Sequence, residues 1–306
     1  DAGPRPLTGS AVRLSIITPS LNAERFIAEA VESAGAVSGS DVEHIVVDGG
    51  SSDATLETLR RYPHLHVLVR PGLGLYPALN LGIAEATGDV IGLLNADDCY
   101  LPGALKPALA ALAAPDIDCT AGGARVVRQG NDGRPELVQA YDDAGHKLLA
   151  WDPLLYGAPL INARLYRKSF MARLGGFDAR HTIAADRDWL IRAKLAGMRI
   201  ATIDAALYEY REHAGSLTIN RARVNAERIS DQHLAIAAQY IDDARAAAVM
   251  RRWHAWETGR KALRSLTSGD PAAAARAARR GFAENPVWPL GFMAAVPARV
   301  RARLAR

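Results

Sequence analysis

Apolar runs and polar stops alternate along the first hundred residues with the spacing of strands and helices. Leu14-Ser15-Ile16-Ile17-Thr18-Pro19-Ser20-Leu21-Asn22 reads as an apolar strand broken by Pro19, and a helical pattern follows from Arg25 to Ala34. His44 to Asp48 reads as a second strand that ends in an acid and the flexible turn Gly49-Gly50-Ser51-Ser52-Asp53, ahead of a capped helix from Ala54 to Tyr62. A third strand, His66 to Arg70, leads through Pro71-Gly72-Leu73-Gly74 into a helix around Pro77–Ala86. Val90 to Leu94 is a short, wholly apolar run, the pattern of a strand buried on both faces. Strands alternating with helices of about ten residues predict an α/β domain with a mostly parallel sheet and helices on both faces.

The fourth strand stops in two adjacent carboxylates, Asp97 and Asp98. Open α/β sheets bind ligands beyond the carboxyl ends of their strands. A pair of acids there suits a hard divalent cation that carries phosphate oxygens as its other ligands. The competing reading is a loop whose acids cap a helix over Gly103–Ala113. Three of the four strands end in polar groups, so Asn22, Asp48 and Asp97 are expected along one edge.

In order along the chain, Ser15-Ile16-Ile17-Thr18-Pro19, Val46-Val47-Asp48-Gly49-Gly50-Ser51-Ser52-Asp53, Asn80 to Asp89 and Leu94-Asn95-Ala96-Asp97-Asp98 resemble successive blocks of family 2 glycosyltransferases with the A-type (GT-A) fold. Leu174-Gly175-Gly176-Phe177-Asp178, Ala185 to Arg192 and Tyr210 to Leu217 resemble that family's acceptor-side blocks. The resemblance spans roughly residues 13 to 220. It implies a nucleotide pocket lined by Pro19, Ser20, Asn22, Asp48, Gly49 and Ser51, with Asp48 receiving the N–H of a uracil-like base. Gly74, Asn80, Asn95, Ala96 and Asp97 would complete the donor site. The resemblance also implies Mn²⁺ or Mg²⁺ on Asp97, Asp98 and His213, and Asp186 as the base of an inverting transfer. The chain departs from the family pattern at Asn95, Leu79 and Ala185, where many members have Asp, Arg and Glu.

Elementary chemistry agrees with that implication. A nucleotide-diphosphate leaving group gathers negative charge, which a divalent cation stabilises as a Lewis acid. The attacking sugar hydroxyl then needs one positioned carboxylate. Asp186 is expected just before an amphipathic helix from Trp189 to Ala196, where capping that helix is its alternative role. His213 reads equally as a hydrogen-bonded structural histidine. The expected activity is transfer of a sugar, UDP-linked by preference, to a saccharide or lipid-linked acceptor. The alternatives are a non-catalytic sugar-nucleotide-binding or scaffolding protein and a sugar-nucleotide pyrophosphorylase. The latter needs a Gly-rich, basic loop after the first strand that Pro19 to Arg25 does not supply.

Charge divides the chain unevenly. The 306 residues carry a net +4, but residues 221–306 alone hold 16 Arg and Lys against 7 Asp and Glu, so residues 1–220 are net acidic. The predicted organisation is a flexible leader (1–12), a GT-A domain (13–220, with 13–100 for the nucleotide and 101–220 for the acceptor) and a basic, Ala/Arg-rich helical appendage (221–306). Within the appendage one helix begins at Asp270-Pro271 and stops at Glu284-Asn285-Pro286. Trp288 to Met293 beside Arg299, Arg301, Arg303 and Arg306 suits an anionic membrane surface; the alternative is a solvated appendage or a homodimer contact. No apolar run approaches the roughly 20 residues of a membrane span, and no aromatic-basic groove for nucleic acid is evident. Two unpatterned cysteines, Cys99 and Cys119, point to a reducing cytoplasm, with peripheral contact at the inner membrane face.

Overall fold

The computed structural model describes residues 12–35, 42–130, 134–216 and 225–295, so the expected leader lies almost wholly outside the described residues. The nucleotide half runs β1 (Leu14–Ser20), α1 (Ile27–Gly35), β2 (Val42–Asp48), α2 (Thr55–Leu59), β3 (Leu65–Val69), α3 (Leu75–Glu85) and β4 (Val90–Leu93). Then come β5 (Cys99–Tyr100), α4 (Leu105–Ala111), β6 (Cys119–Gln129), β7 (Pro135–Tyr141), α5 (Ala144–Lys147), α6 (Trp151–Tyr156) and β8 (Arg164–Arg167). The chain continues through α7 (Lys168–Leu174), α8 (Ala185–Leu195), β9 (Ile200–Glu212), α9 (Ala226–Tyr240), α10 (Ala247–Thr267) and α11 (Pro271–Glu284).

One sheet carries all these strands in the order β3-β2-β1-β4-β8-β6-β9-β5, with β7 beside β6. The nucleotide half, β3-β2-β1-β4, is wholly parallel. Antiparallel pairings enter with β8, which bridges β4 and β6. Strand β1 continues through Pro19, opposite Val47, rather than breaking there. Pairing with β4 stops at Ile17, so on that side no ladder bond is lost to the missing proline N–H. Ser20 and Asp48 end as register partners, which gathers the polar strand ends along one edge.

Helix α3 begins at Leu75, two residues ahead of Pro77, since a proline in the first turn forfeits no intrahelical bond. It lies so close to β1 that a Cβ on Gly82 would fall 2.3 Å from Ile17 Cγ2. Helix α2 stops at Leu59, three residues before the expected Tyr62; at its head Asp53 Oδ1 accepts the Thr55 N–H at 3.0 Å and Glu24 accepts the Ala54 N–H. Helix α8 begins at Ala185, a turn before the expected start at Trp189. Helix α11 keeps its expected bounds, with Asp270 capping the Ala273 N–H.

Helices from the basic C-terminal stretch enter the main core. Ile236, Ala237, Met250 and Trp253 are buried in the same apolar cluster as Ile17, Leu79, Leu93 and Trp189. The expected aromatic anchors are corrected: Trp288 and Phe292 pack inward. Phe292 stacks on Trp256 at 5.5 Å, and Trp288 lies against Phe282 and the bare face of Gly281. The outward stripe is aliphatic instead, with Val287, Leu290 and Met293 exposed by 57%, 71% and 72%. Among the described residues no helix is long and apolar enough to cross a membrane.

Candidate active site

The loops after β1 and β2 are stitched into one wall. Asp48 is fully buried, and its Oδ1 accepts the N–H groups of Gly50 and Ser51 at 2.9 and 2.7 Å. Its Oδ2 accepts Ser51 Oγ–H at 2.6 Å. Ser51 Oγ in turn accepts the Asn22 N–H at 2.8 Å, and Asn22 Oδ1 accepts the Ser52 N–H at 2.9 Å. Asn22 reaches this contact in the left-handed region, φ 50°, which Asn tolerates better than most residues. The Gly49 N–H closes the seam on the Ser20 carbonyl. Pro19 is buried beside it, and the Ser20 hydroxyl, also buried, has no partner among the described residues. An orphaned hydroxyl at a strand end costs free energy unless something binds it.

Gly74 stands at the N-terminus of α3 in an extended conformation. Asn80, one of the expected donor contacts, turns elsewhere. Its side-chain amide donates to the Phe177 carbonyl and accepts the Phe177 N–H, both at 2.8 Å. A Cβ on Gly176 would lie 2.6 Å from Asn80 Oδ1, so the glycine makes room for this clamp. Leu79 points into the core.

The loop after β4 separates its two acids. Asp98 is 3% exposed and accepts Asn95 Nδ2–H at 2.8 Å, Tyr208 O–H at 3.0 Å and the Arg211 N–H at 2.8 Å. Burial, and then the charge of Asp97, push the Asp98 carboxyl well above the ordinary carboxylate range. Asp98 therefore ties the loop to β9 and is not available to a cation; the expected metal set is corrected on this point. Ala96, just before the two acids, is buried. Asp97 keeps a third of its side chain exposed and meets His213 Nε2 at 2.9 Å. The Gly215 N–H donates to His213 Nδ1 at 3.2 Å, which assigns the ring proton to Nε2. His213 also packs against Phe26 at 4.8 Å. Among the described residues no group of three or more His, Cys, Asp or Glu gathers into a metal cluster.

Asp186 sits in the first turn of α8, behind the N-cap residue Ala184, and accepts the Arg187 N–H on Oδ1 at 2.8 Å. Burial raises its carboxyl above the usual aspartate range. The neighbouring Asp188 is tied up in structure: Oδ2 takes Arg192 Nε–H at 2.9 Å and Oδ1 takes Tyr240 O–H at 2.6 Å. Arg187 is buried, donates to the carbonyls of Leu154 and Gly157, and lies over the Trp253 ring at 5.9 Å.

Three tyrosines that sequence reasoning left without a role join these parts. Tyr208 O–H donates to Asp98 and accepts the Asn95 N–H. Tyr210, two residues on and therefore on the same face of β9, has its phenol raised well above its ordinary value by burial and then by Asp98, with Asp186 adding to the same shift. Its ring packs on that of Tyr208 with centroids 4.6 Å apart. Tyr76 O–H bonds the Ile183 carbonyl at 2.8 Å, and burial, then the charge of Asp186, raise its phenol well above its ordinary value. The alternation of Tyr208 and Tyr210 along one strand was the available signal.

The glycosyl transferase family 2 model matches residues 15–175, more than half of the chain. An uncharacterized glycosyltransferase, EpsJ of Bacillus subtilis, is 28% identical over 72% of this chain and 66% of its own length, just under two thirds. The uncharacterized glycosyltransferase Rv1514c of Mycobacterium tuberculosis is 30% identical over 66% of this chain and 76% of that protein. Among solved structures, S. aureus TarS 1–349 in complex with UDP-GlcNAc superposes with a TM-score of 0.64 at 19% identity, covering 95% of this chain and 89% of that one. The mannosyltransferase PcManGT from Pyrobaculum calidifontis, in complex with GDP-Man and Mn²⁺, gives 0.57 at 20% identity, covering 100% and 86%. These structures share the GT-A architecture. By that family match the chain is a glycosyltransferase, and it belongs to glycosyl transferase family 2.

Proposed function

We propose an inverting, metal-dependent transfer from a UDP-sugar to a hydroxyl of a saccharide or lipid-linked acceptor. The observation that supports it most is the division of labour among the acids. Asp97 is open and paired with His213, Asp98 is spent on the fold, and Asp186 stands half-buried in the first turn of α8. The Asp97–His213 pair fits Mn²⁺ or Mg²⁺. An exposed carboxylate oxygen and an imidazole nitrogen, 2.9 Å apart, are donor types that would hold such a cation. A bound cation would supply charge stabilisation to the departing diphosphate.

The chain's own groups do the rest. The Ser20 hydroxyl, buried without a partner, is offered to the nucleotide. Asp48 uses three of its roughly four acceptor sites on its own turn; the fourth, on Oδ2, would take a pyrimidine N–H once Ser51 rotates aside. Asp186 accepts the proton of the acceptor hydroxyl as the acceptor oxygen bonds the anomeric carbon. The bond to the diphosphate breaks on the opposite face, so the configuration inverts. The raised carboxyl of Asp186 suits it to this role, because a stronger base is a better proton acceptor while still ionised near neutral pH. The reading includes a peripheral contact with anionic lipid at the inner membrane face through the C-terminal stretch. The free Cys99 and Cys119 support the reducing side of that membrane.

The test is thermal. UDP should raise the melting temperature, and more so with Mn²⁺, because a ligand that binds only the native state adds RT ln(1 + [L]/Kd) to stability. At a hundred times Kd that is about 2.7 kcal/mol. Equal stabilisation by ADP and UDP would sink the pyrimidine assignment, and indifference to Mn²⁺ would sink the cation.

A further inference from the structure

The N-terminal end of α8, which carries Asp186, has no cap of its own; its N-cap residue is Ala184. What holds that end comes from α9. Gln232 Oε1 accepts the N–H of Ile183 at 2.9 Å and of Ala184 at 3.0 Å. Gln232 Nε2 donates to Thr182 Oγ1 at 2.9 Å, and Arg228, a turn earlier on α9, donates to the same hydroxyl at 3.2 Å. From the other side, Tyr76 O–H bonds the Ile183 carbonyl, so that one peptide is gripped at both ends. Helix α9 is a rigid support, since Ile236 and Ala237 anchor it in the core.

We propose that Gln232 is the positioning residue for Asp186: one side-chain amide fixes the backbone of residues 182–184 and so sets where the carboxyl two residues later meets the acceptor hydroxyl. The inference rests on the reading of Asp186 as the base. A general base works only within hydrogen-bond reach of its proton, and a displacement of about 1 Å far from the chemistry can cost roughly 10²-fold in rate. Without Gln232, two backbone N–H groups lose their acceptor and the segment relaxes toward water or other partners. Helix α9, in the basic C-terminal stretch, on this account serves the chemistry through the segment that carries Asp186.

The experiment compares Gln232→Ala, Gln232→Glu and Asp186→Asn in the full chain, with UDP-GlcNAc and Mn²⁺, reading UDP release together with amide exchange in residues 177–188. Gln232→Ala should lower kcat by roughly 10- to 10²-fold while KM for UDP-GlcNAc stays near wild type. Exchange at Ile183 and Ala184 should quicken. Gln232→Glu, whose carboxylate accepts the same two N–H groups, should return kcat to within a few-fold. Wild-type kcat in Gln232→Ala beside an inactive Asp186→Asn overturns the positioning role and leaves the base standing. Wild-type turnover in Asp186→Asn removes the base, and this inference with it. Loss of donor affinity in step with kcat, without rescue by Glu, reduces Gln232 to a general structural role and also overturns it. The exchange arm needs no donor: unchanged protection at Ile183 and Ala184 overturns the proposal by itself.

Discussion

Two adjacent acids with the same chemistry are given different work by their surroundings. Asp98 has three donors and almost no exposure, whereas Asp97 has one ring nitrogen and a solvent face. Asp97→Ala should therefore weaken Mn²⁺-dependent UDP binding and abolish turnover with little change in stability. Asp98→Ala should chiefly destabilise, by about 1–3 kcal/mol for the buried donors left unpaired, which a melting curve reads directly. Asp186→Asn should leave UDP and Mn²⁺ affinity alone and cost roughly 10²–10⁴-fold in turnover, the usual share of a positioned base. In the wild type, turnover should fall on acidification through a pKa above that of an ordinary aspartate, because Asp186, as the proposed base, would have to be ionised to accept the proton and burial raises its carboxyl. Asp188→Asn weakens the Arg192 and Tyr240 contacts and should lower the melting temperature while sparing the chemistry. If Asp188→Asn instead abolishes turnover in a well-folded protein while Asp186→Asn retains it, the base is Asp188. The sequence alone showed which residues were polar at strand ends. It did not show that Asp98 faces inward or that Asn80 clamps Phe177, because both facts depend on partners about a hundred residues away.

Strand and helix boundaries were legible where local chemistry decides them. The Asp270 cap with Pro271 after it, and the turn-rich Asn285-Pro286 stop, marked α11 without help from the rest of the chain. The start of α8 was not legible, since its end is held by Gln232 from another helix and by no residue of its own. Pro19 misled for a related reason: whether a proline interrupts a strand depends on where the neighbouring ladder stops. Packing between α8 and α10 is likewise tertiary. Trp253 is fully buried in the core shared with Trp189 and lies over Arg187. Trp253→Ala should cost about 3–5 kcal/mol by emptying that volume. Because Arg187 follows Asp186 directly, the same change should also lower kcat in whatever fraction stays folded. A Trp253→Ala variant with wild-type stability would show that α10 is only loosely attached.

Along the full chain, positive charge gathers in the C-terminal stretch, of which Arg299, Arg301, Arg303 and Arg306 lie outside the described residues. Residues 221–306 carry a net +9 against −5 for the rest, a polarity no single helix displays. The structure relocates the apolar part of that signal. Trp288 and Phe292, the residues the sequence offered as anchors, are packed inward, and Val287, Leu290 and Met293 form the outward stripe at a spacing of three. Truncation from residue 287 would thus remove packing as well as charge, so point changes make the cleaner test. Leu290→Ser with Met293→Ser should leave the melting temperature nearly unchanged, since both side chains are more than 70% exposed, and should weaken co-sedimentation with phosphatidylserine vesicles. Replacing Arg299, Arg301, Arg303 and Arg306 by Gln should weaken it further. At about 1 kcal/mol per basic residue near an anionic surface, four changes amount to about a thousandfold at low salt. Raising salt should reproduce the arginine effect and spare the aliphatic one, because charges are screened within about 8 Å at physiological ionic strength while apolar burial is not. An intact protein that ignores anionic vesicles at low salt would leave this stripe and its arginines without a lipid partner.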